Sequence, residues 1–206
     1  PDAHLLWHDL DPLVWERVAH RPIGLLREVD PTGADPAWGA RNNPDAEAQA
    51  LRLADHARAQ GWPLHMVRHL STTPGSPLHP ETGDIAFLPG FAPLAGEAQH
   101  EKSVNSAFIG TGLETGLRAQ GVTHLVICGL TTPHCVSTSC RMAANLDFAV
   151  TLAHDACAAF AGNADTSWRA GLVAPDPEAI HDAAISHLHG EFVTARSTAE
   201  ITGGAG

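Results

Sequence analysis

The chain has 206 residues, room for one domain of ordinary size, and 44% of them are hydrophobic, enough for a sizeable core. Acidic residues outnumber basic ones 23 to 12, a net charge of −11 that repels phosphate backbones, so the expected partner is a small-molecule substrate and not nucleic acid. No stretch approaches the roughly 18 consecutive apolar residues of a membrane span, and the start of the chain lacks a basic-then-apolar leader pattern.

Residues 1–22 read as an N-terminal extension, with Asp11 and Pro12 opening a short helix over 13–19. A start at Pro1 is what a processed or partial product would show. The remainder, 23–206, reads as one domain without internal repeats. Ile23 to Val29 is the first predicted strand. Pro44 to Gln60 has a helical pattern, with Asn43 as N-cap, Pro44 at the first helical position and Gly61 as the stop. Pro63 to Arg68 is the next strand. Residues 69–99 form a long Pro- and Gly-rich loop, and a loop of that length in a compact domain often carries function. A second helix follows over 109–120, ended by Gly121. A buried strand spans 124–128 and a third helix 135–146. Then come a strand over 148–153, a helix over 178–188, a short strand over 192–195 and a short terminal helix after Ser197. This alternation predicts a Rossmann-like three-layer α/β sandwich, with a mostly parallel central sheet and helices on both faces.

Two residues stand out chemically. The four cysteines lie at 128, 135, 140 and 157, matching neither a zinc ribbon nor a disulfide framework. Free thiols in a reducing, cytoplasmic compartment are therefore expected. Cys135 sits where a polar turn after an apolar strand opens into a helix. The positive end of a helix dipole lowers a thiol pKa and favours the nucleophilic thiolate. The same turn aims backbone N–H groups outward, where they can hold an oxyanion. The competing reading is a small buried hydrophobe, the common state of free cysteine. Lys102 is the only lysine among eleven arginines. A compact charge with a movable pKa is something arginine cannot supply, although a surface lysine left by chance fits the count equally well. Histidines 69 and 79 flank the long loop at a spacing that fits no zinc signature. No metal or cofactor is expected.

The segment G-L-T-T-P-H-C-V-S-T-S-C-R-M-A-A-N-L (129–146) resembles the nucleophile region of the isochorismatase-like cysteine hydrolases. E-K-S-V-N-S-A-F-I-G-T (101–111) resembles their lysine segment, and S-H-L-H-G-E-F-V-T-A-R-S-T-A-E (186–200) their C-terminal segment. D-P-A-W-G-A-R-N-N-P-D-A-E-A (35–48) and S-P-L-H-P (76–80) are similar to one branch of the family. The resemblance implies a triad of Cys135, Lys102 and a first-strand carboxylate. It also implies a cis peptide at Leu130–Thr131 and an oxyanion hole from the N–H groups of Thr131 and Cys135. Asn105, Thr132 and His134 are the expected pocket residues, with Phe108 either among them or part of the core, and a homo-oligomer, dimer or tetramer, is the expected assembly.

The carboxylate is where the pattern breaks. Counting back from D-P-A-W-G places Glu28 where the family has Asp. Asp9, in H-L-L-W-H-D-L-D, imitates the strand-then-Asp pattern but requires an insertion, and Asp30 shares the strand face of Glu28. Arg27 also stands where an apolar strand residue is usual. The expected activity, of the amidohydrolase branch, is hydrolysis of a C–N bond in a small amide, ureide or carbamoyl compound. Vinyl-ether hydrolysis of the isochorismatase type is one alternative. A catalytically impaired member kept for binding or assembly is the other.

Overall fold

The computed structural model describes residues 23–29 along the backbone and residues 38–83, 85–88 and 90–203 with their side chains. The expected extension and short helix of the first 22 residues, including Asp9, lie outside the described residues, as does Asp30.

Among the described residues six strands form one sheet: Ile23–Val29 (β1), Leu64–His69 (β2), Ala98–Lys102 (β3), His124–Leu130 (β4), Ala149–Ala158 (β5) and Thr194–Arg196 (β6). Their order is β3-β2-β1-β4-β5-β6, and all neighbours run parallel. The chain steps outward one way from β1 to β3, then crosses back and steps the other way from β4. The order therefore reverses between β1 and β4, and in open α/β sheets the crevice beyond the carboxyl ends at such a reversal is where ligands bind. Every residue of β4 is buried, as a strand covered on both faces requires.

Among the described residues five α-helices accompany the sheet: Ala46–Gln60 (α1), Leu113–Ala119 (α2), Ser137–Asn145 (α3), Pro177–Ser186 (α4) and Thr198–Thr202 (α5). In α1 the buried stripe is Ala46, Ala50, Leu53, Ala54 and Ala57, at the spacing of one helical face. Its alanines let the helix lie close to the sheet, and Gly61 closes it in the left-handed conformation at φ 69°. Met66, Leu125, Ile127, Leu152 and Phe91 are among the side chains of the core. No helix among the described residues is long and apolar enough to cross a membrane.

Several boundaries differ from the sequence reading. Helix α1 begins at Ala46, and Asn43 is not its cap. Asn43 has φ 42° and sends its amide to the carbonyls of Cys157 (2.8 Å) and His154 (3.3 Å) on β5. A tertiary contact has taken the side chain that local patterning assigns to the helix. Helix α2 starts four residues late, after Gly110 and Gly112, residues poor in helix interiors. Strand β3 falls inside the predicted loop and its continuation. Only Lys102 of its five residues is buried, so it lacks an apolar signal. The helix expected from Cys135 is preceded by a π-helical turn, Thr132–Val136, and α3 proper begins at Ser137.

Candidate active site

Strand β4 ends at a bulge. Its register with β5 shifts between Ile127 and Gly129, and Gly129 adopts φ 133°, which side-chain-bearing residues rarely take. The peptide between Leu130 and Thr131 is cis. The chain then enters the π-helical turn, where the N–H groups of His134 and Val136 both donate to Thr131 O at 3.2 and 3.3 Å. This turn presents the half-buried Cys135 thiol at the carboxyl end of β4.

Strand β3 delivers its last residue, Lys102, to the same place. Lys102 is only 4% exposed. Its Nζ donates to Asn105 O at 2.9 Å and Val104 O at 3.2 Å, and it approaches Cys135 Sγ to 3.1 Å. The carbonyls lessen the cost of burying the ammonium, and the third contact sets a positive charge against the sulfur. The thiol also faces Asn105 Oδ1 at 3.7 Å.

Cys135 and Lys102 open onto a cavity of about 200 Å³, a size for a small molecule. Asn105, Leu130, Thr131 and His134 line it. So do Trp38 and, from the long loop, His69, Ser71, Ser76 and Leu78. That loop is fastened at several points. Ser71 N donates to Leu78 O (2.9 Å) and Gly83 N to His79 O (2.7 Å). Arg68 donates to Ile85 O (3.2 Å), stacks on Phe87 and pairs with Glu101. Arg58 pairs with Glu97 at the loop's far end, which lowers the Glu97 pKa.

Of the candidate pocket residues, Asn105 and His134 line the cavity and two do not. Phe108 is buried in the core against Phe148. Thr132 is fully buried, and its hydroxyl meets His181 Nδ1 at 2.9 Å. Both lie close to the site in sequence, but the π-helical turn points Thr132 inward and core packing against Phe148 holds Phe108. Trp38, Ser76 and Leu78 were singled out only as parts of D-P-A-W-G and S-P-L-H-P, without a role. Cys128, Cys140 and Cys157 are buried and form no disulfide, and burial raises the Cys157 thiol pKa well above normal. Asp155 is structural, accepting from Thr198 N and Oγ1, both at 2.8 Å.

The acid candidates are placed less completely. The Glu28 backbone lies at the end of β1, in register with Gly129 of β4 on one side and Val67 of β2 on the other, which is the reversal point of the sheet. Its side chain, like Asp9 and Asp30, lies outside the described set.

Comparison with known proteins gives a consistent picture. A family model described as the isochorismatase domain matches residues 29–200. YrdC of Bacillus subtilis (strain 168), an uncharacterized isochorismatase family protein, is 37% identical over 179 residues, covering 86% of this chain and 92% of the relative. A ureidoacrylate amidohydrolase, RutB, of Rhizobium rhizogenes is 31% identical over 93 residues, covering 45% of this chain and 38% of the relative. The crystal structure of an isochorismatase-family protein from Chromobacterium violaceum superposes with a TM-score of 0.80 at 39% identity, covering 89% of this chain and 92% of that one.

Proposed function

The chain belongs to the isochorismatase family of hydrolases, and from that premise we propose that it is a cysteine-dependent hydrolase cleaving a C–N bond of a small amide, ureide or carbamoyl compound. One observation carries the reading: Lys102 Nζ stands 3.1 Å from Cys135 Sγ at the mouth of a cavity of about 200 Å³, where the sheet order reverses. An adjacent ammonium stabilises a thiolate. The name of the RutB relative, an amidohydrolase, supports the same bond type.

In this mechanism a carboxylate takes the Cys135 proton. The thiolate forms a bond to the substrate carbonyl carbon, and the electron pair moving to oxygen is met by the N–H groups of Thr131 and Cys135. The tetrahedral intermediate collapses and the C–N bond breaks as the protonated carboxyl returns its proton to the leaving nitrogen. Water, deprotonated by the same carboxylate, then attacks the thioester carbon; the C–S bond breaks, the acid product leaves, and the carboxyl returns the proton to sulfur. Glu28 is the first choice for the carboxylate because of its backbone position at the end of β1; Asp9 and Asp30 follow.

Vinyl-ether cleavage needs an acid and not a thiol, so Cys135 with its ammonium neighbour counts against that reading. The test is amine or ammonia release from an amide panel. It should be abolished in Cys135→Ala, with an acyl adduct on Cys135 detectable by mass spectrometry. Glu28→Gln, Asp9→Asn and Asp30→Asn, made separately, identify the carboxylate. Isochorismate turnover surviving Cys135→Ala, or neither turnover nor enhanced alkylation of Cys135, overturns the reading. A dimer or tetramer is part of the same proposal, tested by light scattering on a sizing column.

A further inference from the structure

The turn that presents Cys135 is tied to the rest of the fold by one buried side-chain chain that the mechanism above does not use. Thr132 Oγ1 lies 2.9 Å from Nδ1 of His181, on α4. Both residues are almost completely buried, Thr132 at 0% and His181 at 3% exposure. The far ring nitrogen, Nε2, lies 3.5 Å from Asn43 Nδ2. That amide nitrogen is identified as the donor end by its bonds to the carbonyls of Cys157 and His154. Its two hydrogens go to those carbonyls, and an amide nitrogen has no lone pair with which to accept an Nε2–H, so the arrangement favours Nε2 as the bare nitrogen. The ring proton then sits on Nδ1 and is donated to the Thr132 hydroxyl.

We propose that His181 is a positioning residue, which through an Nδ1–H to Thr132 Oγ1 hydrogen bond holds the turn 131–135 so that its N–H groups converge on the substrate oxygen. The proposal rests on the reading of this turn as an oxyanion hole. The side chain is enclosed on α4 with Asn43 at its far nitrogen. Glu178 and Asp182 on its own helix favour its protonation, whereas burial and His154 oppose it, and the net effect lowers its pKa. A neutral ring is the state that Asn43 accepts, since protonation would set two donors against each other. The bond is geometric support for the turn; His181 itself does not line the cavity.

The test has two independent readouts. In His181→Ala, kcat for amide hydrolysis should fall by about ten- to hundredfold, part of what loss of an oxyanion donor costs. KM and the alkylation rate of Cys135 should each stay within about twofold, because neither depends on the developing oxyanion. His181→Asn, which can place a polar atom near the position of Nδ1, should recover much of kcat. Thr132→Val should reproduce the loss, and the double variant should be no worse than either single one. Nitrogen-15 NMR of the whole protein should show His181 as the Nδ1–H tautomer, and His181→Ala should shift the amide signals of Thr131 and Cys135. An Nε2–H tautomer, unchanged kcat in both variants, or a loss of alkylation parallel to the loss of kcat overturns the proposal. If Cys135→Ala keeps its activity, the cysteine-dependent reading fails instead, and the NMR result still decides whether His181 holds the turn.

Discussion

Lys102 and Cys135 meet across 33 residues of sequence, with Nζ 3.1 Å from Sγ, although two strands separate β3 from β4 in the sheet. Each is the product of a strand end. Lys102 closes β3, and Cys135 sits one short turn beyond β4.

That contact predicts the behaviour of Lys102→Met. Removing a positive charge within hydrogen-bond reach of a thiol disfavours its ionised form. The rate of Cys135 alkylation by iodoacetamide near neutral pH should therefore fall at least about tenfold, with its pH midpoint displaced upward. The carbonyls of Val104 and Asn105 also lose a donor, so the melting temperature should drop as well. An unchanged alkylation midpoint would separate the ammonium from the chemistry.

Gly83 predicts an effect on substrate binding. A Cβ there would meet Pro77 O at 2.0 Å and Pro77 C at 2.5 Å, both backbone atoms that cannot swing aside. Gly83→Ala must therefore shift the loop carrying Ser76 and Leu78, which line the cavity. KM should rise several-fold, while Cys135 alkylation, governed by β3 and β4, should change little. Steady-state kinetics beside alkylation rates check this.

The buried histidines predict how stability depends on pH. Burial, helped by His100 whose Nε2 is 3.0 Å from His65 Nδ1, lowers His65 to about 4; burial alone lowers His124 to about 4. In the unfolded chain both return to about 6.5. Between those values the unfolded state binds more protons, so stability rises with pH through the window. It is complete above about 6.5 and is lost as pH falls towards 4, with a slope approaching about 1.4 kcal/mol per pH unit for each such histidine. Urea unfolding across this range measures it, and His124→Gln should flatten the slope. Stability that holds level or increases on acidification would contradict the assignment.

Asp155 predicts a change in stability without a change in chemistry. One of its oxygens accepts from both Thr198 N and Thr198 Oγ1, fastening α5 to β5, and Thr198 is fully buried. Hydrogen bonds to a charged group contribute about 1.5–3 kcal/mol. Asp155→Ala should lower unfolding free energy by about that amount, with kcat retained at temperatures below the transition.

Much of this was legible in the sequence. The strand–turn–helix pattern singled out Cys135, and the count of one lysine against eleven arginines singled out Lys102. The partnership between them was not readable from spacing, because β3 reads A-Q-H-E-K on the sheet's edge and carries no run of apolar residues. Asn43 shows a different failure. Its identity and place before a proline signal a helix cap, but the ends of β5 compete for the same amide and win. Thr132 and Phe108 were candidates for the pocket because they neighbour the reactive residues, and a π-helical turn and core packing aim them elsewhere. His181 lies 49 residues from Thr132, and nothing local on α4 marks it.

The reversal of strand order makes the contact between the sulfur and the ammonium depend on the assembled sheet. The strands that deliver the sulfur and the ammonium are separated in the sheet by β1 and β2. On the proposed function, a chain whose sheet is incomplete would lack the ammonium beside its cysteine, and the thiol would acquire that charged neighbour only with the assembled fold.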